Sequence, residues 1–251
     1  MKSFRYHLAS IARRLTRRRR FPLLIRRRGA TFLLDPRNWV DTQLAAWHPY
    51  ENELIAHAIA IMERERLNVF IDIGANFGLY TTLLGQLPFV KHVIAFEPVR
   101  RNFNQLLANV FANRLDEKVD AHRVALGDTI EQVVIHVDPK STAISRFNPS
   151  LEGRNPEHFV LREAVSVVPF DTVISLVQMR VFVKIDVEGH AAAVLRGMSR
   201  FLASNEAVLQ IELFPEEQHT VTAILDSCGY APAEVFGRDQ YFRRRSPLPN
   251  K

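Results

Sequence analysis

The sequence predicts an α/β fold, a mostly parallel sheet with helices on both faces, preceded by a hairpin and a helical extension. Three observations point there. Between residues 68 and 227, strand-length apolar runs alternate with helix-length amphipathic stretches. Two of the strand-to-helix turns, Asp72-Ile-Gly-Ala-Asn-Phe-Gly78 and Asp186-Val-Glu-Gly189, are acidic and carry glycine. Of the 251 residues, 47% are hydrophobic, enough to bury a full core.

In chain order, residues 21–27 and 30–34 read as a hairpin turning at Gly29, and helical patterns follow at 41–47 and 51–65. Strand 68–73, helix 78–86, strand 91–96, helix 99–113 and strand 118–125 then alternate. Strand 132–137, a polar loop at 138–159, strand 164–168 and a short helix behind Asp171, with Asp171 as its cap, interrupt the rhythm. It resumes with strand 181–186, helix 190–203, strand 207–213 and helix 216–227, and two last strands flank Gly237. The expected organisation is a basic arm at 1–28, the hairpin and helices at 29–66, and the main domain at 67–251. Right-handed crossovers put the strand-to-helix turns along one edge of such a sheet, where ligands bind.

Charge is unevenly spread. Residues 1–28 hold 11 positive charges and no acid, so with a whole-chain charge of +6 the other 223 residues carry −5. Phe4, Leu8, Ile11, Ala12 and Leu15 recur at helical spacing, which suits a basic amphipathic helix at an anionic membrane surface. A solvated basic tail is the plain alternative. The composition also suits a mitochondrial transit peptide, whereas a secretory signal fits poorly. No apolar run reaches transmembrane length. The one cysteine, Cys228, leaves no internal disulfide and fits a reducing, cytoplasmic setting, at most peripheral to a membrane. No Cys/His cluster has zinc spacing, and no metal is expected.

The turn after the first core strand is the most informative segment. Glycines allow close backbone approach, and a helix start offers free N–H groups. Glu97 ends the next strand, Val93-Ile-Ala-Phe96, where a carboxylate can take both hydroxyls of a ribose. A dinucleotide fingerprint requires Gly-x-Gly-x-x-Gly, but Asn76 stands two residues after Gly74 and Asp72 is a poor neighbour for a pyrophosphate. An acidic turn suits a cationic donor with an amino acid tail, so S-adenosyl-L-methionine is the expected cofactor.

The second segment is Val183-Lys-Ile-Asp-Val-Glu-Gly-His190. Asp186 and Glu188 reach the same edge as Asp72 and can act as a general base, cofactor ligands or metal ligands. For Glu188 the competing role is a favourable charge at a helix start. Lys184, on the face of Asp186, reads as the cation of a structural ion pair. His190 is either a proton shuttle or an ordinary helix-start residue. Asp128, in the Gly127-Asp128 turn, either accepts from an adenine amino group or simply turns the chain. Glu212 ends a strand and completes a site with Asp186, contacts substrate, or is solvated. Tyr50-Glu51 opens a helix and either reaches the cofactor's tail or steadies that helix.

These segments resemble the FkbM-family methyltransferases: Val69 to Thr82, Glu97-Pro98, Val124-Ala-Leu-Gly-Asp128, Lys184-Ile-Asp-Val-Glu-Gly189 followed by Val194-Leu-Arg-Gly197, and the Tyr50-Glu51 pair. The resemblance spans residues 50–214 and implies a Rossmann-like seven-stranded sheet whose last strand is antiparallel. It implies a cofactor loop of Asp72, Gly74, Asn76 and Gly78, Glu97 on the ribose and Asp128 near the adenine; Ala75 within that loop, Glu51 and Asp186 complete the expected cofactor contacts. The family commonly methylates a hydroxyl of a sugar or polyketide-like product. Two departures stand out: Phe170-Asp-Thr172, where relatives often have Leu-Asp-Asp or Leu-Asp-Glu, and His190-Ala-Ala-Ala193, where they often carry a further acid.

The expected activity is S-adenosylmethionine-dependent O-methyl transfer to a small-molecule or glycan hydroxyl. Asp186 is the first choice of base, with Glu188 or His190 behind it. The basic arm motivates a competing RNA methyltransferase. Asp-Val-Glu-Gly stands where base methylation often uses an Asn-Pro-Pro-Tyr-type turn, and its acids repel phosphates and make nucleic acid a poor partner. An RNA ribose methyltransferase stays open. The altered helix after Gly189 motivates a non-catalytic donor-binding scaffold at a membrane. Oligomeric state has no signature in the sequence.

Overall fold

A computed structural model describes residues 22–46, 48, 50–138 and 160–246. Its centre is a seven-stranded sheet. Strands β3 (Val69–Ile73), β4 (His92–Phe96), β5 (Val119–His122), β9 (Arg180–Ile185) and β10 (Glu206–Glu212) are mutually parallel. Strand β12 (Asp239–Arg244) runs antiparallel to both β10 and β11 (Tyr230–Phe236). The order across the sheet is β11-β12-β10-β9-β3-β4-β5, so the direction of winding reverses between β3 and β9. The Rossmann-like sheet and the antiparallel strand implied by the resemblance are therefore both present.

Val-Phe-Ile-Asp-Ile of β3 is buried at every position, as a central strand covered on both faces must be. One face packs on α6 (Ala191–Gly197), α7 (Ser199–Ser204) and α8 (Gln218–Ser227), with Ile71, Val183, Leu209, Val194, Leu202 and Leu225 in one cluster. The other packs on the hairpin, α1 (Trp39–Ala45), α2 (Asn52–Glu65) and α3 (Leu79–Gly85) through Phe70, Phe182, Phe32, Ile61 and Leu84. Each such buried Phe, Ile or Leu contributes about 1.5–3 kcal/mol. Helix α2 buries Ile55, Ala58, Ile61 and Met62, the 3–4 spacing of a single apolar stripe.

The hairpin β1 (Leu23–Arg27) and β2 (Ala30–Leu34) is fastened by amides rather than by apolar contact alone. Helix α4 (Arg100–Ala112) and its cap present Gln105, Asn109 and Asn113 at four-residue spacing along the edge of β2. Gln105 Nε2 donates to the Leu33 carbonyl at 2.9 Å. Asn109 Oδ1 accepts from Leu33 N at 2.6 Å, and Asn113 Oδ1 accepts from Thr31 N at 2.8 Å. Asn109 Nδ2 also donates to the Phe77 carbonyl at 2.8 Å, tying the hairpin to the turn after β3.

Several boundaries differ from the sequence reading, each for a visible reason. The first hairpin strand starts at Leu23, within the 21–27 read from the sequence, so the arm's expected end at residue 28 cuts through the hairpin. Arg27 donates to the Ala45 carbonyl at 2.9 Å and Arg28 to that of Tyr50, so these two guanidiniums serve the fold. The rest of the arm, residues 1–21, and all but the first residue of the loop 138–159 lie outside the described residues. The strand expected at 118–125 divides into β5 and a short β6 (Ala125–Leu126), which leaves the main sheet and pairs with β8 (Leu161–Val168). Strand β7 (Glu131–Val137) completes that second, three-stranded sheet. The single helix expected at 190–203 breaks at Met198, directly after Gly197. A Cβ on Gly197 would lie 1.8 Å from the Gly127 carbonyl oxygen. Asp171 caps a different helix from the one expected. It lies within the short α5 (Phe170–Val173), and its carboxylate accepts from the N–H groups of Arg200 and Phe201 in α7. Among the described residues no helix is long and apolar enough to cross a membrane.

Replacing Asn109 by Ala strands one buried donor and one buried acceptor, and is expected to cost about 2–4 kcal/mol in urea unfolding. Asn113→Ala, at a half-buried position, should cost roughly 1 kcal/mol. Negligible losses in both variants would show that the amide ladder does not fasten the hairpin.

Candidate functional site

The carboxyl ends of β3, β4, β9 and β10 open into a cavity of ≈ 620 Å³ at the point where the winding reverses. Its lining includes Asp72, Gly74, Ala75, Asn76, Glu97, Asp186, Glu188 and Glu212, so the acidic motifs meet as the sheet topology requires.

The turn after β3 is a clamp between neighbouring strand ends. Gly74 N and Ala75 N both donate to the Phe96 carbonyl, at 3.0 and 2.9 Å, and Asn76 N donates to Glu97 Oε2 at 2.8 Å. Gly78 N donates to the Ala75 carbonyl at 2.8 Å. Four N–H groups of this turn, those of Gly74, Ala75, Asn76 and Gly78, are thus spent inside the protein. Gly74, at φ +83°, has a further constraint, because a Cβ there would lie 1.9 Å from the Asp186 carbonyl oxygen. The glycine admits the turn after β9, where a dinucleotide motif would admit a pyrophosphate. Gly78 does not line the cavity, and a Cβ on it would press on Leu106 of α4.

Two carboxylates hold this clamp and still face the cavity. Asp72 is 1% exposed, and its Oδ2 accepts from Thr81 N at 3.0 Å and Thr81 Oγ1 at 2.6 Å. Its Oδ1 is buried without a hydrogen-bond partner. Burial raises its pKa against the pull of Lys184 and Thr81. Glu97 Oε1 accepts from Val99 N at 2.8 Å. Burial pushes Glu97 up to about 7, despite the N–H groups of Val99 and Asn76 and the Asn102 amide.

The other end of the cavity is built around Lys184. The register pairs Lys184 with Asp72 on β3, and its Nζ donates to Asp186 Oδ2 at 2.8 Å. The Tyr80 ring lies 4.7 Å from Nζ. Burial alone would lower the lysine's pKa, but Asp186, Glu51 and Asp72 outweigh it and hold Lys184 charged. Asp186, Glu188 and Glu212 each bring a carboxyl oxygen within 4.8 Å of the others. Anions tolerate that spacing only with a proton or a cation among them. Glu51, in left-handed backbone at φ 54°, points its field at Lys184, and burial raises its pKa.

Two expected residues sit apart from this cluster. Asp128 does not line the cavity, and its carboxylate faces Arg196, which donates at 2.6 Å. His190 lines the cavity, but its charged neighbours are Asp128, Arg196 and Glu131. Burial lowers its pKa. It stands directly before α6, at the helix start as one of the two sequence readings had it, and its side chain makes no cap.

Sequence reasoning missed Asp239, Trp39 and Tyr80. Asp239 lines the cavity because β12 runs antiparallel and sets it opposite Glu212. Gln210 Nε2 donates to it at 2.7 Å. The Gly237-Arg-Asp239 turn was its visible signal. Trp39 and Tyr50, edge to face at 5.9 Å, form a wall from the N-terminal extension. In all, eight carboxyl side chains line the cavity against Lys184 and Arg238. That charge balance and the buried, unpartnered Asp72 Oδ1 fit a cationic ligand carrying an ammonium group.

A family model described as the methyltransferase FkbM domain matches residues 72–232. No curated protein matches the chain significantly. Among solved structures, an FkbM methyltransferase from Methylobacillus flagellatus KT is 17% identical with a TM-score of 0.46, covering 70% of this chain and 44% of its own. This chain therefore spans less than half of that protein. M. jannaschii TYW2, solved in complex with AdoMet, is 13% identical at a TM-score of 0.47, with 90% and 88% covered. The human methyltransferase 10 domain containing protein is 12% identical at 0.49, with 95% and 94% covered.

Because the folded value of Glu97 lies above its ordinary 4.5, ionising it costs the folded chain stability as pH rises from there to about 7. Glu97→Gln lacks that cost. Between about pH 4.5 and 7.5 the unfolding free energy of the variant should gain on the parent by up to about 3 kcal/mol. A pH-independent difference in urea unfolding would show that Glu97 has an ordinary pKa.

Proposed function

Because the chain belongs to the FkbM methyltransferase family, we propose that it methylates a hydroxyl of a sugar, glycan or small natural product, with Asp186 accepting the proton. The observation that carries this reading is the ion pair of Asp186 with buried Lys184 on the floor of the acid-lined cavity. When bound, S-adenosylmethionine supplies a methyl group already activated by positively charged sulfur. The protein's own work is then alignment and proton removal.

Asp72 and Glu97 face the cavity from the clamp and offer their remaining lone pairs to the donor, Glu97 toward ribose hydroxyls and Asp72 toward an ammonium group. Asp186 needs to stay ionised to accept a hydroxyl proton, and Lys184 favours that state against burial. Glu188 shares this end and adds negative field. His190 stands toward Asp128 and Arg196, so it is the weaker candidate for proton transfer. The wall of Trp39 and Tyr50 offers apolar surface to an acceptor. The excess of acids disfavours a phosphate-rich acceptor and argues against RNA. For the basic N-terminal residues we propose contact with anionic lipid.

With labelled donor and a cell extract as the source of acceptor, Asp186→Asn is expected to lower methyl transfer about 10²–10⁴-fold while calorimetry still registers donor binding. Unchanged transfer refutes the assignment, and no transfer by the parent favours a non-catalytic scaffold. Replacing Arg17 to Arg20 by Gln in the full chain should abolish co-sedimentation with vesicles rich in phosphatidylserine. Equal sedimentation of the two proteins removes the lipid proposal.

A further inference from the structure

We propose that Asp186 and Glu212 hold one proton between them, carried by Glu212, and that Lys184 fixes Asp186 as the partner that stays ionised. This makes Lys184 and Glu212 positioning residues for the Asp186 base, so the inference rests on the function proposed above.

The geometry leaves few alternatives. Asp186, Glu188 and Glu212 bring carboxyl oxygens within 4.8 Å of one another in a half-buried setting. Lys184 is the buried cation of this end, and it is committed to Asp186 Oδ2 at 2.8 Å. The surroundings add more anions than cations. Glu51 and Tyr50 face the lysine from the turn before α2, and Asp72 faces it from β3. Tyr80 comes from α3, and Asp239 and Tyr241 from β12. Arg238 lines the cavity beside Phe214, with its guanidinium 5.1 Å from that ring. His190 faces Asp128. Two like charges this close, with one cation already taken, are relieved by a shared proton.

The position of the proton follows from which carboxyl Lys184 touches. Asp186 raises Glu212 above the ordinary carboxyl range, and burial adds to this. Burial would raise Asp186 as well, but Lys184 outweighs it and the net direction is down. The Glu212 O–H then donates to Asp186. Held on one side by the lysine and on the other by this hydroxyl, the Asp186 carboxylate keeps one orientation. In turnover the acceptor O–H breaks as the O–CH₃ bond forms. Sulfur keeps the electron pair of the bond it loses, and Asp186 takes the proton. The pair then holds two protons and returns one to solvent.

The test is a carboxyl-carbon NMR titration of the full chain labelled with ¹³C in its Asp and Glu side chains, without donor or acceptor. One glutamic acid signal is expected to stay protonated at pH 7 and beyond the midpoint of Glu97, which lies at about 7, and to be absent from Glu212→Gln. Asp186, assigned through Asp186→Asn, should be ionised there. In Lys184→Met its midpoint should rise by at least one pH unit. A Glu212 signal that titrates near pH 4–5, as an unperturbed glutamate does, overturns the proposal. So does a shift of all three carboxyl signals on adding millimolar magnesium chloride, which would show that a cation balances the cluster. If Lys184→Met fails to fold, the near-isosteric Glu212→Gln still decides where the proton is. Because no turnover is measured, failure here is distinct from failure of the methyl-transfer reading, which the Asp186→Asn turnover test addresses.

Discussion

The contact on which the site depends is between two backbones. The turn after β3 and the turn after β9 meet where Gly74 faces the Asp186 carbonyl oxygen, leaving no room for a side chain. Asp186 N donates to the Ile73 carbonyl at 3.0 Å, and the next two N–H groups after Ile73 reach across to Phe96. Three parallel strands thus end in a single hydrogen-bonded knot at the reversal of winding. The cavity is the hollow above that knot, and its floor inherits the rigidity of the central sheet.

From that knot follows an electrostatic constraint. Parallel strands in register set Asp72 beside Lys184, and alternation along β9 sets Asp186 on the same face as Lys184. One buried ammonium therefore faces acids from several elements. A buried charge persists only when paired, and here the pairing is built into strand register. Removing Lys184 would leave several anions in a half-dry cavity, a cost far beyond the value of a surface ion pair. The lysine read from the sequence as part of a structural pair therefore has a second consequence, because the same pair sets the charge state of the residue proposed as base.

Much of the fold was legible because period and punctuation agree with it. Every core strand and helix appears, mostly within one or two residues of its expected ends, since buried parallel strands read as unbroken apolar runs. What escaped notice was long-range. Nothing local in Asn109 or Asn113 says that their amides will meet a strand more than 70 residues away. Asp171 carries a local capping signal and caps a helix 29 residues further on. Arg27 and Arg28 end a run of basic residues, and composition alone cannot separate them from the arm before them. Most of the acidic cluster was visible, since Glu51, Asp72, Glu97, Asp186, Glu188 and Glu212 were all singled out and only Asp138 and Asp239 were not. Asp72, Glu97 and Asp186 stand in turn motifs, while Asp239 reaches the site only because β12 reverses direction.

The distribution of charged partners divides the cavity into two ends. Glu97 is held by the backbone of the β3 and β4 turns, and the site acid that acts on it is Asp72. Asp186 and Glu212 answer to Lys184 and to each other. Asp72 belongs to both ends, since it feels Lys184 and Asp186 and in turn acts on Glu97. It is also the acid whose second oxygen is buried without a partner. A ligand that carries hydroxyls toward Glu97 and positive charge toward Asp72 and Asp186 suits the charge at all three positions. A dinucleotide would bring a pyrophosphate to Asp72 and leave that oxygen unpaired beside another anion. The same carboxylate that clamps the first turn therefore also selects the charge type of what enters.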